Sequence, residues 1–433
     1  MDLKRLFPIL LIIFVNILGF GVIIPILPLY AEGQFGGSVL QITLLASSFF
    51  GAQFLAAPWL GRLSDRYGRR PLLMASQLGT VVAFVLFILA GPIGGWVDSL
   101  GLSLPLTGGM LVLFSARILD GITGGNITIA QAYVADITSD ENRAQGLGYL
   151  QAAFGMGIIF GPAIGGFLSI IGPVAPFVGA AAITTGTLLL TALTLEESLP
   201  EEARVEREGR GAVLPSPSAL VTQPALALIL AIGFVASLAF SSLPATFALY
   251  ANRVLFPEAA RSGGAELPIA LMFAFFGLMT VITQVALLRP LVMRLGERRL
   301  LVFGQIALTV SFMGLGGADR ALLAAASLST FAFGLGVSEP SLQSLVTRFG
   351  SRRRSGQMLG LYQSARSLAL IFGPVAAGYV FGSVSPRATY WAGAGVAFVA
   401  LLFALGLMRR AIPVRAEDES PAMRSESAAA GGQ

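Results

Sequence analysis

QGLGYLQAAFGMGIIFGPAIGG, residues 145–166, returns in altered form as QMLGLYQSARSLALIFGPVAAG at 357–378. Both segments read Gly-x-x-Gln, then Phe-Gly-Pro at 160–162 and 372–374, then a glycine four residues beyond the proline. The offset is 212 residues at every matched position. Two further echoes occur in the same order. RYGRRPLL (66–73) is answered by RLGERRLL (294–301), and PILPLY (25–30) by PATFALY (244–250). Three matches in register indicate an internal duplication. Duplicated halves in membrane carriers place a substrate site at their interface, near the bilayer midplane.

The residues around these repeats are those of a lipid-embedded chain. The 433 residues are 55% hydrophobic and 12% charged, against about a quarter charged in soluble domains. Charges are bunched, leaving charge-free runs such as 6–31, 33–61, 71–97 and 144–195. A bilayer crossing takes roughly 20 apolar residues, so 144–195 holds two, divided at Gly172-Pro173. The expected spans are 6–30, 38–60, 72–92, 108–135, 144–170 and 174–195, then 223–250, 267–288, 300–318, 321–347, 357–382 and 388–408. The fold class is therefore all-α integral membrane, with twelve spans in two pseudo-symmetric six-helix bundles. The bundles are 1–195 and 223–412, joined by a polar, breaker-rich linker at 196–222. A small, polar tail at 413–433 reads as disordered. The first apolar run is too long for a signal peptide.

Charge placement orients the spans. With a cytoplasmic N-terminus, only Arg253, Arg261, Arg320 and Arg387 fall in outer loops, and Arg117 and Arg366 fall inside spans. The remaining Lys and Arg are cytoplasmic, the positive-inside pattern. Both termini are then cytoplasmic, in a cell (inner or plasma) membrane. This pattern accounts for the net charge of +5 without nucleic acid. The chain has no Cys and no His. Disulfides and thiolate metal sites are excluded, and proton chemistry falls to carboxylates. No P-loop, metal-ligand cluster or nucleophile motif argues for an enzyme or for ATP as driving force.

GRLSDRYGRRP, residues 61–71, lies between the second and third spans. Glycines permit a sharp turn and close helix approach, and arginines fork to carboxylates or helix carbonyls. The plain alternative is a positive-inside loop. The spacing is more specific than that. It resembles the signature loop of the major facilitator superfamily, roughly Gly-x-Leu-Ala-Asp-Arg-x-Gly-Arg-Arg/Lys, through Gly61, Leu63, Asp65, Arg66, Gly68, Arg69 and Arg70. The resemblance implies two six-helix bundles rocking about a central cavity, with this loop gating the cytoplasmic side. It also implies that Asp136, at the end of the fourth span, completes a charge network with the loop. Arg117 and Gly121 are similar to the Arg-x-x-x-Gly motif of proton-linked members. Gly157, Gly161, Pro162, Gly165 and Gly166 resemble a fifth-span motif of proton-driven exporters. NILGFGVIIPILPLYAE (16–32) resembles the opening of tetracycline and multidrug exporters. Many of those carry an acidic residue early in the first span, where this chain has Asn16, so proton coupling is expected elsewhere.

Ionisable groups at membrane depth are costly and face the bundle interior or a wet cavity. Arg117 and Asp120 are three apart and share a helix face. They form either a structural salt bridge or a coupling pair in which protonating Asp120 frees Arg117. Glu339 and Arg366 lie at matching depth, roughly 12–15 Å at 1.5 Å per residue, and are expected to pair across the tenth and eleventh spans. Again the alternatives are a buried ion pair or a second proton site. Asp120 and Glu339 are thus the coupling candidates. Asn16, Gln53, Asn126, Gln131, Gln151 and Gln363 are candidate cavity polar groups, and Phe20, Phe154 and Phe240 candidate contacts for an apolar substrate.

The expected function is proton-coupled efflux of small apolar or amphiphilic compounds by a monomer. No cofactor is expected other than the proton gradient. The partners are the substrate and the bilayer. Alternatives are a carrier of a sugar, metabolite or lipid by symport or facilitated diffusion, and a non-transporting sensor.

Overall fold

A computed structural model describes residues 3–101, 105–124, 126–138, 143–199, 223–261, 264–349 and 355–410. The expected linker beyond 199 and the tail from 411 lie outside the described residues. Ten described helical stretches are long and apolar enough to cross a bilayer. One of them, Glu266–Gly317, is 52 residues long. Gly296 interrupts it at φ 73°, ψ 158°, so it holds the eighth and ninth spans. The fourth span is built from Gly108–Thr123 and Asn126–Ile137. With these the count among the described residues is twelve.

Several spans differ in detail from expectation, each for a local reason. The first bends at Ile24-Pro25, between Leu3–Ile23 and Ile26–Phe35, where proline removes a helix hydrogen bond. The third continues through Arg69–Ile88 and Ala90–Ser99. The fourth, expected unbroken over 108–135, is interrupted after Thr123. Its freed carbonyls are satisfied by neighbours: Gln53 Nε2 donates to the Gly124 carbonyl at 2.7 Å, and Ser76 Oγ donates to that of Thr123. Irregular backbone at membrane depth persists only where protein groups satisfy it in this way. Two helix starts of the first half carry side-chain caps. Ser38 and Gln41 form a reciprocal capping box on the second span, Val39–Tyr67, and Thr107 caps the fourth.

The duplication is visible in packing. Span 1 lies on spans 5 (Arg143–Ser169) and 6 (Ala175–Thr194), as span 7 (Pro224–Tyr250) lies on spans 11 (Ser355–Ser383) and 12 (Pro386–Met408). The halves meet where span 5 abuts span 8 and span 11 abuts span 2. Association in lipid rests on close packing rather than hydrophobic burial, so small residues mark the contacts. The opening repeat supplies them. A Cβ on Gly161 would lie 2.6 Å from Gly21 Cα and 2.7 Å from the Leu18 carbonyl of span 1. A Cβ on its counterpart Gly373 would lie 2.9 Å from the Leu238 carbonyl of span 7. The last glycines of the repeat face the other half instead, Gly166 against Ala270 and Gly378 against Thr43.

The two ends of the molecule are unequal. At the end opposite the arginine loop, one continuous apolar core includes Ile42 and Phe87 of the first half and Leu243, Phe273 and Phe381 of the second. Across it Arg253 pairs with Glu32 and lies 5.3 Å from the Phe381 ring centroid. At the arginine-loop end each half has its own core. One contains Ile9, Leu73, Tyr133 and Leu195, the other Ile229, Leu301, Leu345 and Leu407. Among the described residues the buried apolar core is therefore shared between the halves at one end and divided between them at the other.

Candidate functional site

Glu339 on span 10 (Ala321–Thr347) and Arg366 on span 11 meet at 2.7 Å, each side chain about a fifth exposed. The carboxylate receives two further bonds. Tyr362 Oη donates to Oε2 at 3.0 Å and Gln343 Nε2 to Oε1 at 2.7 Å. The guanidinium also donates to Ser237 Oγ at 3.2 Å and Gln363 Oε1 at 3.1 Å. Helical spacing builds the cluster, since Tyr362 and Gln363 precede Arg366 by four and three residues and Gln343 follows Glu339 by four. A cavity of about 20 Å³ adjoins it, lined by Ser237, Phe240, Glu339, Tyr362 and Arg366 among others. A larger cleft of about 380 Å³, bordered by Tyr30, Gln34 and Asp98, sits at the opposite end of the first half and touches none of these charges.

The first half has a more enclosed counterpart. Arg117 Nη1 stands 3.5 Å from Asp120 Oδ2, and both residues are buried. Thr80 Oγ1, from span 3, donates to Asp120 Oδ1 at 2.9 Å. The Arg117 guanidinium lies 4.6 Å from the Phe49 ring centroid, a cation–π contact strengthened by desolvation. Its Nε has no hydrogen-bond partner among the described residues.

The arginine loop is an ordered charge cluster. Gly68 takes φ 101°, a conformation that L side chains avoid. It separates span 2 from span 3. Arg69, 4% exposed, donates to Asp136 at 3.0 Å, Asp65 at 2.7 Å and Ser64 Oγ at 2.5 Å. Glu197 receives the backbone N–H groups of Arg69 and Arg70 at 2.8 and 3.1 Å, an anion at a helix N-terminus. Arg70 Nη2 donates to the Ala192 carbonyl at 2.6 Å. Arg66 lies over Tyr67, and Gly61 has open space around its Cα. The second half repeats this with charges exchanged. Gly296 corresponds to Gly68, and Glu297 of span 9 pairs with Arg348, just past span 10, at 2.9 Å, where the first half pairs Arg69 with Asp136.

The remaining candidates are dispersed. Gly157, Gly161 and Gly165 of span 5 pack on span 1, with Pro162 beside Gly21. Asn16 is buried, with Nδ2 unpartnered among the described residues. Phe20 packs on Phe49 at 5.6 Å, and Phe240 on Phe331 at 6.1 Å. Phe154 joins the apolar core of the first half. Gln53 caps the broken fourth span. Gln131 is partly buried. The side chains of Asn126 and Gln151 lie outside the described residues. Tyr362, Gln343, Ser237, Thr80 and Glu197 were not singled out from sequence, although the i±4 spacings to Glu339 and Arg366 were available as a signal.

A family model described as Major Facilitator Superfamily matches residues 9–265 and 238–428. The chain belongs to the major facilitator superfamily. Among its superfamily relatives, tetracycline resistance protein, class C, of Escherichia coli is 31% identical over 359 residues, covering 82% of this chain and 84% of that protein. Multidrug resistance protein 2 of Bacillus subtilis (strain 168) is 29% identical over 388 residues, covering 87% and 89%. In fold, the superfamily chain resembles the human organic anion transporter MFSD10 (TETRAN), with TM-score 0.67, 23% identity and coverage of 93% and 99%. It also resembles the nucleoside transporter NupG, with TM-score 0.72, 12% identity and coverage of 95% and 100%. This superfamily member is a multi-pass membrane transporter of small molecules and not an enzyme.

Proposed function

We propose that the protein exports small apolar or amphiphilic compounds in exchange for protons, by alternating access and as a monomer. The observation that carries this reading is the pair of mid-span carboxylate–guanidinium contacts, one in each half. Asp120 and Glu339 take the coupling protons, and Arg117 and Arg366 are the partners released when they do. No bound cofactor is required. The tetracycline and multidrug resistance relatives support an export role. The positive-inside distribution supports cytoplasmic termini; on that orientation the form described is open inward, with its outer end closed by the shared core.

The test is transport in proteoliposomes under an imposed pH gradient, with a panel of dyes, drugs and lipids. Asp120→Asn and Glu339→Gln are each expected to abolish gradient-driven transport while leaving expression intact. Uphill transport by both variants would overturn the reading. Asn16, which cannot carry a proton, favours a second one: a carrier of another solute by symport or facilitated diffusion. That reading predicts no gradient-driven export of any compound in the panel.

A further inference from the structure

Span 3 begins at Arg69, directly after the Gly68 turn. Whatever displaces span 3 therefore displaces the two arginines that organise the loop. Asp120 reaches this span through one side-chain bond, from Thr80. Thr80 lies eleven residues from Arg69, about 16 Å along the helix at 1.5 Å per residue.

Between these points span 3 is fastened to its neighbours by buried polar groups. One turn nearer the loop, Gln77 Nε2 donates to Thr191 Oγ1 of span 6 at 2.9 Å, and Thr191 donates to the Thr187 carbonyl at 2.8 Å. Ser76 Oγ donates to the Thr123 carbonyl of span 4. At the loop, Arg70 bonds the Ala192 carbonyl of span 6. Thr80 is 6% exposed and Gln77 and Thr191 are fully buried, so these bonds face no solvent competition. Gln77 keeps its place although its Oε1 has no hydrogen-bond partner among the described residues. Packing alone would be met at less cost by an apolar residue.

We propose that Thr80 is a positioning residue that conveys the protonation state of Asp120 to the arginine loop, with Gln77 and Thr191 making spans 3 and 6 move together. The inference rests on the reading of Asp120 as a coupling carboxylate. An ionised Asp120 accepts a charge-assisted bond from Thr80, roughly twice as strong as a neutral one. A protonated Asp120 offers a neutral partner and can itself donate to Thr80 Oγ1. The bond that sets span 3 against span 4 therefore changes strength and direction with the proton. Arg117 is the charged group facing Asp120 among the described residues. The packed face of span 2 presents Phe49 and that of span 3 presents Thr80. The other charges of those spans, Arg62, Asp65 and Arg66 on one and Arg69, Arg70 and Asp98 on the other, lie near their ends.

The cysteine-free chain permits a direct test. Leu63→Cys, 40% exposed at the loop, is reacted with a maleimide across pH in the full-length reconstituted protein. Maleimide reacts with the thiolate, so each rate is taken relative to that of the same cysteine in the unfolded chain at the same pH. The Leu63→Cys parent should show a relative labelling rate that changes with pH, and Asp120→Asn should remove that dependence. Thr80→Val and Thr80→Ala should remove it as well. They should lower uphill accumulation by about tenfold, within the 5–150-fold range of coupling between sites. Substrate affinity and downhill flux should be unchanged, and Thr80→Ser should restore both lost properties. If Thr80→Val does not insert, Thr80→Ala carries the test. Retained pH-dependent labelling and accumulation in the Thr80 variants, alongside their loss in Asp120→Asn, would overturn this inference alone. Intact accumulation in Asp120→Asn would overturn the reading of Asp120 and this inference with it.

Discussion

On the proposed reading Gly166 helps to close the outer end of the molecule, and filling its space by one methyl should open it. A Cβ added there would overlap that of Ala270 on span 8. Carbon atoms in contact settle at about 3.5–4.0 Å, so the halves must part locally by about 1 Å or more. Overpacking of this kind costs about 1–3 kcal/mol. The contact crosses between the halves, so on the proposed reading the penalty falls on the inward-open form and is relieved when the outer ends separate. The populations should shift toward the outward-open form by about 5–150-fold. The assay uses Thr43→Cys, a near-isosteric probe on the second cross-half contact, where Thr43 is fully buried against Gly378. A membrane-impermeant maleimide applied from outside should label this cysteine slowly in the otherwise unaltered chain and faster by that factor when Gly166→Ala is added. Ala270→Gly, which removes the opposing methyl, should return the rate to its starting value. Gly165→Ala would clash with the Val22 carbonyl within one half and should lower thermal stability without raising the labelling rate. Unchanged labelling in Gly166→Ala, or equal labelling in Gly165→Ala, would refute the assignment of Gly166 to the gate.

Two further outcomes follow from the geometry. Asp65→Asn and Asp136→Asn should each lower stability by about 1–3 kcal/mol, and together by more than their sum, because buried Arg69 then loses both carboxylates; additive shifts in a thermal-unfolding double-mutant cycle would show that the two do not share Arg69. Gln53→Leu leaves the Gly124 carbonyl unsatisfied at the break in span 4 and should cost about 1–3 kcal/mol, whereas unchanged melting would leave Gln53 free as a cavity group.

The duplication and the twelve spans were legible because they rest on long-range periodicity. The offset of 212 carries Gly161 onto Gly373 and Gly166 onto Gly378, and the structure gives each pair the same packing role. Interruptions were harder to read. The run Gly124-Gly125-Asn126 is a breaker signal, but the apolar pattern resumes at Ile127 and hid the break, which Gln53 and Ser76 repair from other spans. The bonds around Glu339 were only half legible. Its pairing with Arg366 follows from matched depth, but Tyr362 and Ser237 belong to types that more often serve packing within spans. Glu197 read as the start of a linker because its partners, the N–H groups of Arg69 and Arg70, are more than a hundred residues earlier. Loss of the loop aspartate in the second half, with Met293 in its place, concealed a compensation. Met293 is exposed, and the ion pair has moved to Glu297 and Arg348 with its polarity reversed.

The two intramembrane pairs are not interchangeable, and their surroundings divide the work. The side chains of Glu339 and Arg366 are 21% and 20% exposed and border a cavity. Those of Asp120 and Arg117 are 5% and 8% exposed and are covered by Phe49 and Thr80. On the proposed reading, Glu339 exchanges its proton in the form described, where substrate also has access, and is the group with which substrate competes. Asp120 can meet water only after spans 3 and 4 have shifted, so its proton accompanies the conformational change. A variant at Glu339 should therefore alter the pH dependence of substrate binding. One at Asp120 should leave binding intact and alter the pH dependence of the transition between the two open forms. A single site serving both purposes would be free to release its proton before the protein had changed state. Separating the two carboxylates, one reachable and one sealed, ties proton release to movement.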